Sequence, residues 1–187
     1  MAAFERCVAR RGLAETTLTD IADEAGLPRS LIRYFMGNRD EMVDRLVERL
    51  VARATTALEA LGATAPVTLD RLLDLFIDDI FADQLANAVM TELWEVSRSD
   101  PHVAARVRGV YEHAIGVIEA ALEKDGVGET ADNRRSTAFA LLALILGQSS
   151  LNDFGLYPPD RSAVRRAVRN VVAASAPTPD PARNTAS

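Results

Sequence analysis

The sequence predicts an all-α protein of nine helices. Apolar residues recur at three- and four-residue steps along almost the whole chain, and no run alternates convincingly with period two. The breaks between periodic stretches fall at glycine, at proline, or at residues that cap helices. Composition agrees: 48% of the 187 residues are hydrophobic, 5% aromatic and 26% charged, enough apolar material for a packed core.

The first helix is expected over Ala3–Arg11, with Phe4 and Val8 on one face and Gly12 as its stop. Cys7, within it, reads as a small core residue, and a lone cysteine excludes an intramolecular disulfide. Thr17 then caps a helix carrying Leu18, Ile21, Ala22 and Ala25, with Asp20 three residues on where a capping box usually has Glu. Gly26 ends it in the left-handed conformation, and Pro28 opens a third helix through Phe35. A long fourth helix is expected from about Asp40 to Leu61, broken by Gly62–Val67. Thr68 caps a fifth, carrying Leu69, Leu72, Leu73, Phe76, Ile77 and Ile80. A sixth spans about Gln84–Arg98, and Asp100-Pro101 starts a seventh that ends at Gly126. The eighth, roughly Asp132–Asn152, is apolar nearly all round across Ala138–Leu146, so it requires cover as a bundle centre or a subunit interface. Beyond Pro158-Pro159, Val164, Ala167, Val168, Val171 and Val172 form the stripe of a ninth helix. Its other face carries Arg161, Arg165, Arg166 and Arg169. The Pro-, Thr- and Ala-rich end is expected to be disordered. The domains expected are thus 1–39, 40–174 and a tail, 175–187.

The segment that carries chemistry is Thr16–Arg39. A short capped helix, a glycine turn and a second short helix are the parts of a helix-turn-helix, whose second helix lies in the major groove of DNA. The net charge of −6 argues against indiscriminate coating of nucleic acid. Locally, however, Gly26–Arg39 holds Arg29, Arg33 and Arg39 and no acidic residue. An arginine fork can grip guanine or a phosphate, Tyr34 can donate to a phosphate, and Thr17 offers a hydroxyl at a helix N-terminus that favours anions.

Thr16-Thr17-Leu18-Thr19-Asp20-Ile21-Ala22-Asp23-Glu24-Ala25-Gly26-Leu27, followed by Tyr34-Phe35-Met36-Gly37-Asn38-Arg39-Asp40-Glu41-Met42, closely resembles the signature of the tetracycline-repressor (TetR) family. Trp94, Asp100-Pro101 and Gly147 resemble, more weakly, its betaine-regulator-like branch. The resemblance implies a homodimer paired through helices eight and nine, a palindromic duplex operator and a small-molecule effector site in each C-terminal domain. By position, Thr17 would contact phosphate; Arg29, Ser30, Leu31 and Arg33 would face bases or nearby backbone; Tyr34 and Arg39 would hold phosphates. Ile21, Ala22, Leu27, Ile32 and Met36 would pack the head. Arg33 stands where the family usually has an aromatic residue, which favours direct base reading there, and Met36 where Phe is commoner. The first helix also starts abruptly at Met1, where relatives usually carry further residues, so a shortened N-terminus is expected.

An effector pocket is expected among the helices between Leu58 and Asn152, with Phe76, Met90, Trp94, Tyr111, His113, Phe139, Gln148 and Asn152 facing inward. Trp94, the only tryptophan, is the leading candidate because it offers a flat apolar wall with one donor. No enzyme, cofactor or metal is expected. His102 and His113 are eleven residues apart and cannot form an i, i+4 ligand pair, and no phosphate loop, nucleophile elbow or cysteine cluster occurs. No secretory leader or membrane span is expected, which places the chain in the cytoplasm. The main competing reading is a helical binding or adaptor protein without an operator.

Overall fold

A computed structural model describes residues 1–153, 156 and 161–175; the side chains of Asn152, Asp153 and Arg161 fall outside the description, as do the Pro158-Pro159 break and the expected tail beyond Ser175. Among the described residues there are nine α-helices and no strand. These are α1 (Ala2–Arg11), α2 (Leu18–Ala25), α3 (Arg29–Met36), α4 (Arg39–Thr64), α5 (Leu69–Leu75), α6 (Gln84–Ser97), α7 (Pro101–Lys124), α8 (Ala131–Asp153) and α9 (Arg161–Ala174). None of them is long and apolar enough to cross a membrane.

The chain falls into two compact units. The first holds Met1–Ala65 and Leu75–His113; the second holds Pro66–Asp74 and the described residues from Ala114 onward. The boundary expected at 39/40 therefore lies inside the first unit. One continuous core runs through that unit, from Phe4, Cys7 and Val8 of α1 through Ile21, Ile32 and Met36 to Val43, Leu46 and Leu50 of α4, Val89 and Leu93 of α6, and Val103 and Val107 of α7. Cys7 is fully buried there. Burial raises its thiol pKa, and its Sγ meets the Asp20 carbonyl at 3.5 Å.

Local chemistry sets the helix ends. Thr17 and Asp20 form the expected capping box of α2, and Gly26 closes it at φ 65°, with the Leu27 N–H donating to the Ala22 carbonyl. That turn directs Leu27 outward: it is 45% exposed, against the expectation that it packs in the head. Asn38 and Glu41 build a second capping box at the start of α4. The fourth helix runs on through Gly62, which does not break it, and stops at Thr64. The cause is Pro66: the residue before a proline is driven out of the helical region, and Ala65 is extended at φ −169°, ψ 167°. Downstream of α5 the expected single helix widens into a π-helical turn over Phe76–Ile80, closed by the Phe81 N–H on the Phe76 carbonyl at 2.9 Å.

In the second unit, Leu72 of α5, Ile118 and Leu122 of α7, Leu141 and Ile145 of α8 and Val168 of α9 are buried. The Leu69 N–H donates to Asp125, and Arg165 Nε pairs with Asp74 at 2.8 Å. The apolar α8 buries one side only: Phe139, Leu144 and Leu151 remain exposed.

Candidate nucleic-acid interface

The helix expected to meet DNA is held by one narrow edge. Of the eight residues of α3, only Ile32 and Met36 are buried; Arg29, Ser30, Leu31, Arg33, Tyr34 and Phe35 are exposed. At roughly 100° per residue, two positions four apart occupy one line, and everything else must face out or sideways. Tyr34 falls opposite the buried edge and is 80% exposed. Ser30 sits beside it on the outer ridge. Arg29 and Arg33, four apart, form one flank; Leu31 and Phe35, four apart, form the other. Phe35, 59% exposed and edge-on to Tyr34 with ring centroids 5.2 Å apart, was not among the expected contact residues. The signal for it was available, since a helix that buries only 32 and 36 cannot also bury 35.

The arginine flank continues into a cleft of about 220 Å³ whose lining includes Thr16, Arg33, Asn38 and Arg39. Arg33 thus stands with Arg39 at the side of α3 rather than on its outermost ridge. Arg39 Nη1 donates to the Leu13 carbonyl at 3.4 Å, which ties this guanidinium to the turn after α1. Thr17 is more engaged than its expected phosphate role implies. Its hydroxyl donates to Asp20 Oδ2 at 2.6 Å and accepts the Asp20 N–H at 3.2 Å, while its own N–H donates to Asp20 Oδ2 at 2.9 Å. These bonds, with Arg11 Nη1 at 2.7 Å from Oδ1, hold the Asp20 carboxyl below its ordinary range.

Of the residues expected to line an effector site, the first unit brings Trp94 and Tyr111 together, with ring centroids 5.9 Å apart. Burial raises the Tyr111 phenol to about 12, and the Trp94 side chain, hydrogen-bonded to it, opposes the rise. Trp94 itself is 36% exposed. Phe76 is buried against Phe81, Met90 is half-buried, and the exposed His113 borders a cleft of about 440 Å³ with Glu48, Val51, Arg106 and Val110. In the second unit Gln148 is half-buried, whereas Phe139 is 64% exposed and does not face inward as expected. It occupies the outer face of α8, where the apolar circumference of that helix exceeds what its own unit covers. The Asn152 side chain lies outside the described residues.

The whole architecture recurs in solved structures. A TetR transcription regulator from Haloarcula marismortui superposes with a TM-score of 0.72 over 93% of this chain and 94% of that one, at 19% identity. The chain therefore has the fold of a TetR regulator. A second match, a transcriptional regulator from Saccharomonospora viridis in complex with choline, gives a TM-score of 0.69 at 22% identity over 92% of each chain. In sequence, the HTH-type transcriptional regulators ArpR and TtgR of Pseudomonas putida are 35% and 34% identical over 85 residues. The match takes in 41% of this TetR-fold chain and 40% of each relative, so the chain spans about two-fifths of the length of the curated relatives it matches. No family model matches it.

Proposed function

We propose that this chain is a ligand-responsive transcriptional regulator that binds double-stranded DNA, acting as a repressor released from a palindromic operator by a small-molecule effector. The observation that carries the reading is α3: six of its eight side chains are exposed, and Gly26–Arg39 carries three arginines and no acid. Such a helix fits a major groove, and the flanking cations neutralise phosphate. Residues 1–39 serve as the DNA-binding head and 40–174 as the effector-binding and dimerisation body. The exposed Phe139, Leu144 and Leu151 on α8 support pairing of two copies through α8 and α9. A dimer of this kind sets two copies of α3 roughly 34–36 Å apart, one helical turn of duplex. An effector acts by binding one spacing of the heads better than another. Choline in the Saccharomonospora viridis structure, and the paired Trp94 and Tyr111 rings here, make small quaternary ammonium compounds the first effectors to test. Regulation of transcription from the cytoplasm follows from this reading, and no catalytic step is part of it.

The test is selection of duplexes from a random-sequence library by the full chain, followed by fluorescence anisotropy of the winners. A palindromic site, bound by two copies, with affinity falling steeply between about 50 and 200 mM salt, supports the proposal. Failure to enrich any sequence over random duplex defeats it and leaves an effector-binding or adaptor protein.

A further inference from the structure

Resting on the DNA-binding reading, we infer that this chain reads thymine methyl groups through the apolar flank of α3, Leu31 and Phe35, while Arg29 and Arg33 on the opposite flank hold backbone phosphate.

The placement follows from helical register. Measured from the buried line of Ile32 and Met36, Arg33 and Phe35 lie roughly 80° away on opposite sides, and Leu31 roughly 120° away on Phe35's side. A helix lying in the major groove with Tyr34 and Ser30 deepest therefore presents hydrocarbon to one wall and guanidinium to the other. Leu31 is 37% and Phe35 59% exposed, and Leu27, in the turn four residues before Leu31, is 45% exposed. Three large apolar side chains left in water on a cationic helix and in the turn just before it are costly unless binding covers them. In duplex DNA the apolar group presented to the major groove is the C5-methyl of thymine, and contact with it discriminates thymine from cytosine without any hydrogen bond. The charge pattern selects DNA over a protein partner as the cover, because Gly26–Arg39 has no acidic residue and Arg29 and Arg33 occupy the opposite flank of the same helix. Arg33 is assigned to phosphate because it shares a cleft with Arg39 and Asn38 at the side of the head.

The decisive experiment takes the best duplex from the selection and replaces each thymine of one half-site by deoxyuridine, which deletes only the methyl group. Each contacted methyl is expected to be worth about fourfold in Kd, the equivalent of about 0.8 kcal/mol for one buried carbon at 1.4 kcal/mol per tenfold. In Leu31→Ala or Phe35→Ala, at least one of those uracil penalties should vanish. Arg33→Ala should weaken the thymine and uracil duplexes by the same factor. All three positions are exposed, so circular dichroism should show folded variants. Equal binding of thymine and uracil duplexes by the unaltered chain overturns the inference while leaving DNA binding intact. So does a uracil penalty that survives undiminished in both alanine variants, and so does its disappearance in Arg33→Ala. DNA binding that both alanine variants leave untouched likewise overturns it and points to a protein docking on the patch.

Discussion

The Glu5 carboxylate, only 1% exposed, accepts a hydrogen bond from Arg49 Nε at 3.0 Å. One helical turn along α4, Arg53 Nη2 lies 3.3 Å from the same oxygen, and Arg53 Nη1 reaches toward Asp83, the cap of α6, at 3.7 Å. The arginine side chains keep 42% and 36% of their surface, so either can return to water; the carboxylate cannot. Removing one arginine leaves Glu5 still paired and should cost about 1 kcal/mol. Removing both strands a buried charge, for which about 3–5 kcal/mol is expected. Arg49→Ala with Arg53→Ala should therefore destabilise by more than the sum of the singles, with Glu5→Met restoring much of the loss in the double variant. Urea unfolding of the unaltered chain, the two singles, the double and the Glu5→Met triple checks this, and simple additivity would show that Glu5 is not held as a hub.

At the start of α2, Thr17→Ala should destabilise the head by about 1 kcal/mol and Thr17→Ser by much less, because only the alanine loses the capping oxygen. The acid limb of stability should respond as well. Hydrogen bonds from Thr17 hold the Asp20 carboxyl below its ordinary value of 3.8, and Arg6 and Arg10 hold Glu24 below 4.5. Unfolding therefore takes up protons at low pH. Both contributions are complete above the ordinary carboxylate range and disappear as pH falls through the lower folded values. Thermal melts from pH 6 down to pH 2 should show a shallower acid loss in Thr17→Ala than in the unaltered chain; identical slopes would remove Asp20 from the account.

How much of this was legible in the sequence differs by element. The helix-turn-helix was readable because its signals are local: Thr17 with Asp20 for the start of α2, Gly26 for its end, and Ile32 with Met36, an apolar pair four apart, to seat α3. The end of α4 was misread because Gly62 looked like a stop, whereas a glycine costs a helix only about 1 kcal/mol and a proline two residues past the end compels the break. The inward orientation expected of Phe139 failed for a different reason. A helix apolar all round gives no angular signal, so the sequence could not say which side of α8 its own unit would cover. Nor could periodicity foresee the π-helical turn at Phe76–Ile80, since Leu72, Leu73, Phe76, Ile77 and Ile80 keep three- and four-residue spacing straight through it.

Tyr111 yields an alkaline counterpart to the acid prediction. Burial raises its phenol to about 12 against an ordinary 10, so the folded chain keeps the proton longer than the unfolded one. The resulting contribution, about 2–3 kcal/mol for a shift of that size, is complete below pH 10 and is lost as pH rises toward 12. Trp94, whose ring centroid lies 5.9 Å away, serves as the reporter because tyrosinate quenches a neighbouring indole. Its fluorescence should fall only above pH 11 in the unaltered chain, and Tyr111→Phe should abolish that late step. A step near pH 10 that persists in the variant would show that Trp94 senses another group.

Two glycines make opposite predictions from the same substitution. Gly37 sits at φ 73°, ψ −145°, a region essentially closed to L side chains, and a Cβ there would collide with the Glu41 carboxylate that caps α4. Gly109 lies inside α7 with nothing within 4 Å of a would-be Cβ. Gly109→Ala should therefore stabilise by about 0.5–1 kcal/mol, since alanine loses less backbone entropy in a helix. Gly37→Ala should destabilise by more than that, because it both strains the backbone and displaces Glu41 from the Asn38 N–H, which it accepts at 2.9 Å. The pair controls for the side chain added. If both variants moved the melting temperature in the same direction, backbone conformation at Gly37 would not be what fixes the junction between α3 and α4.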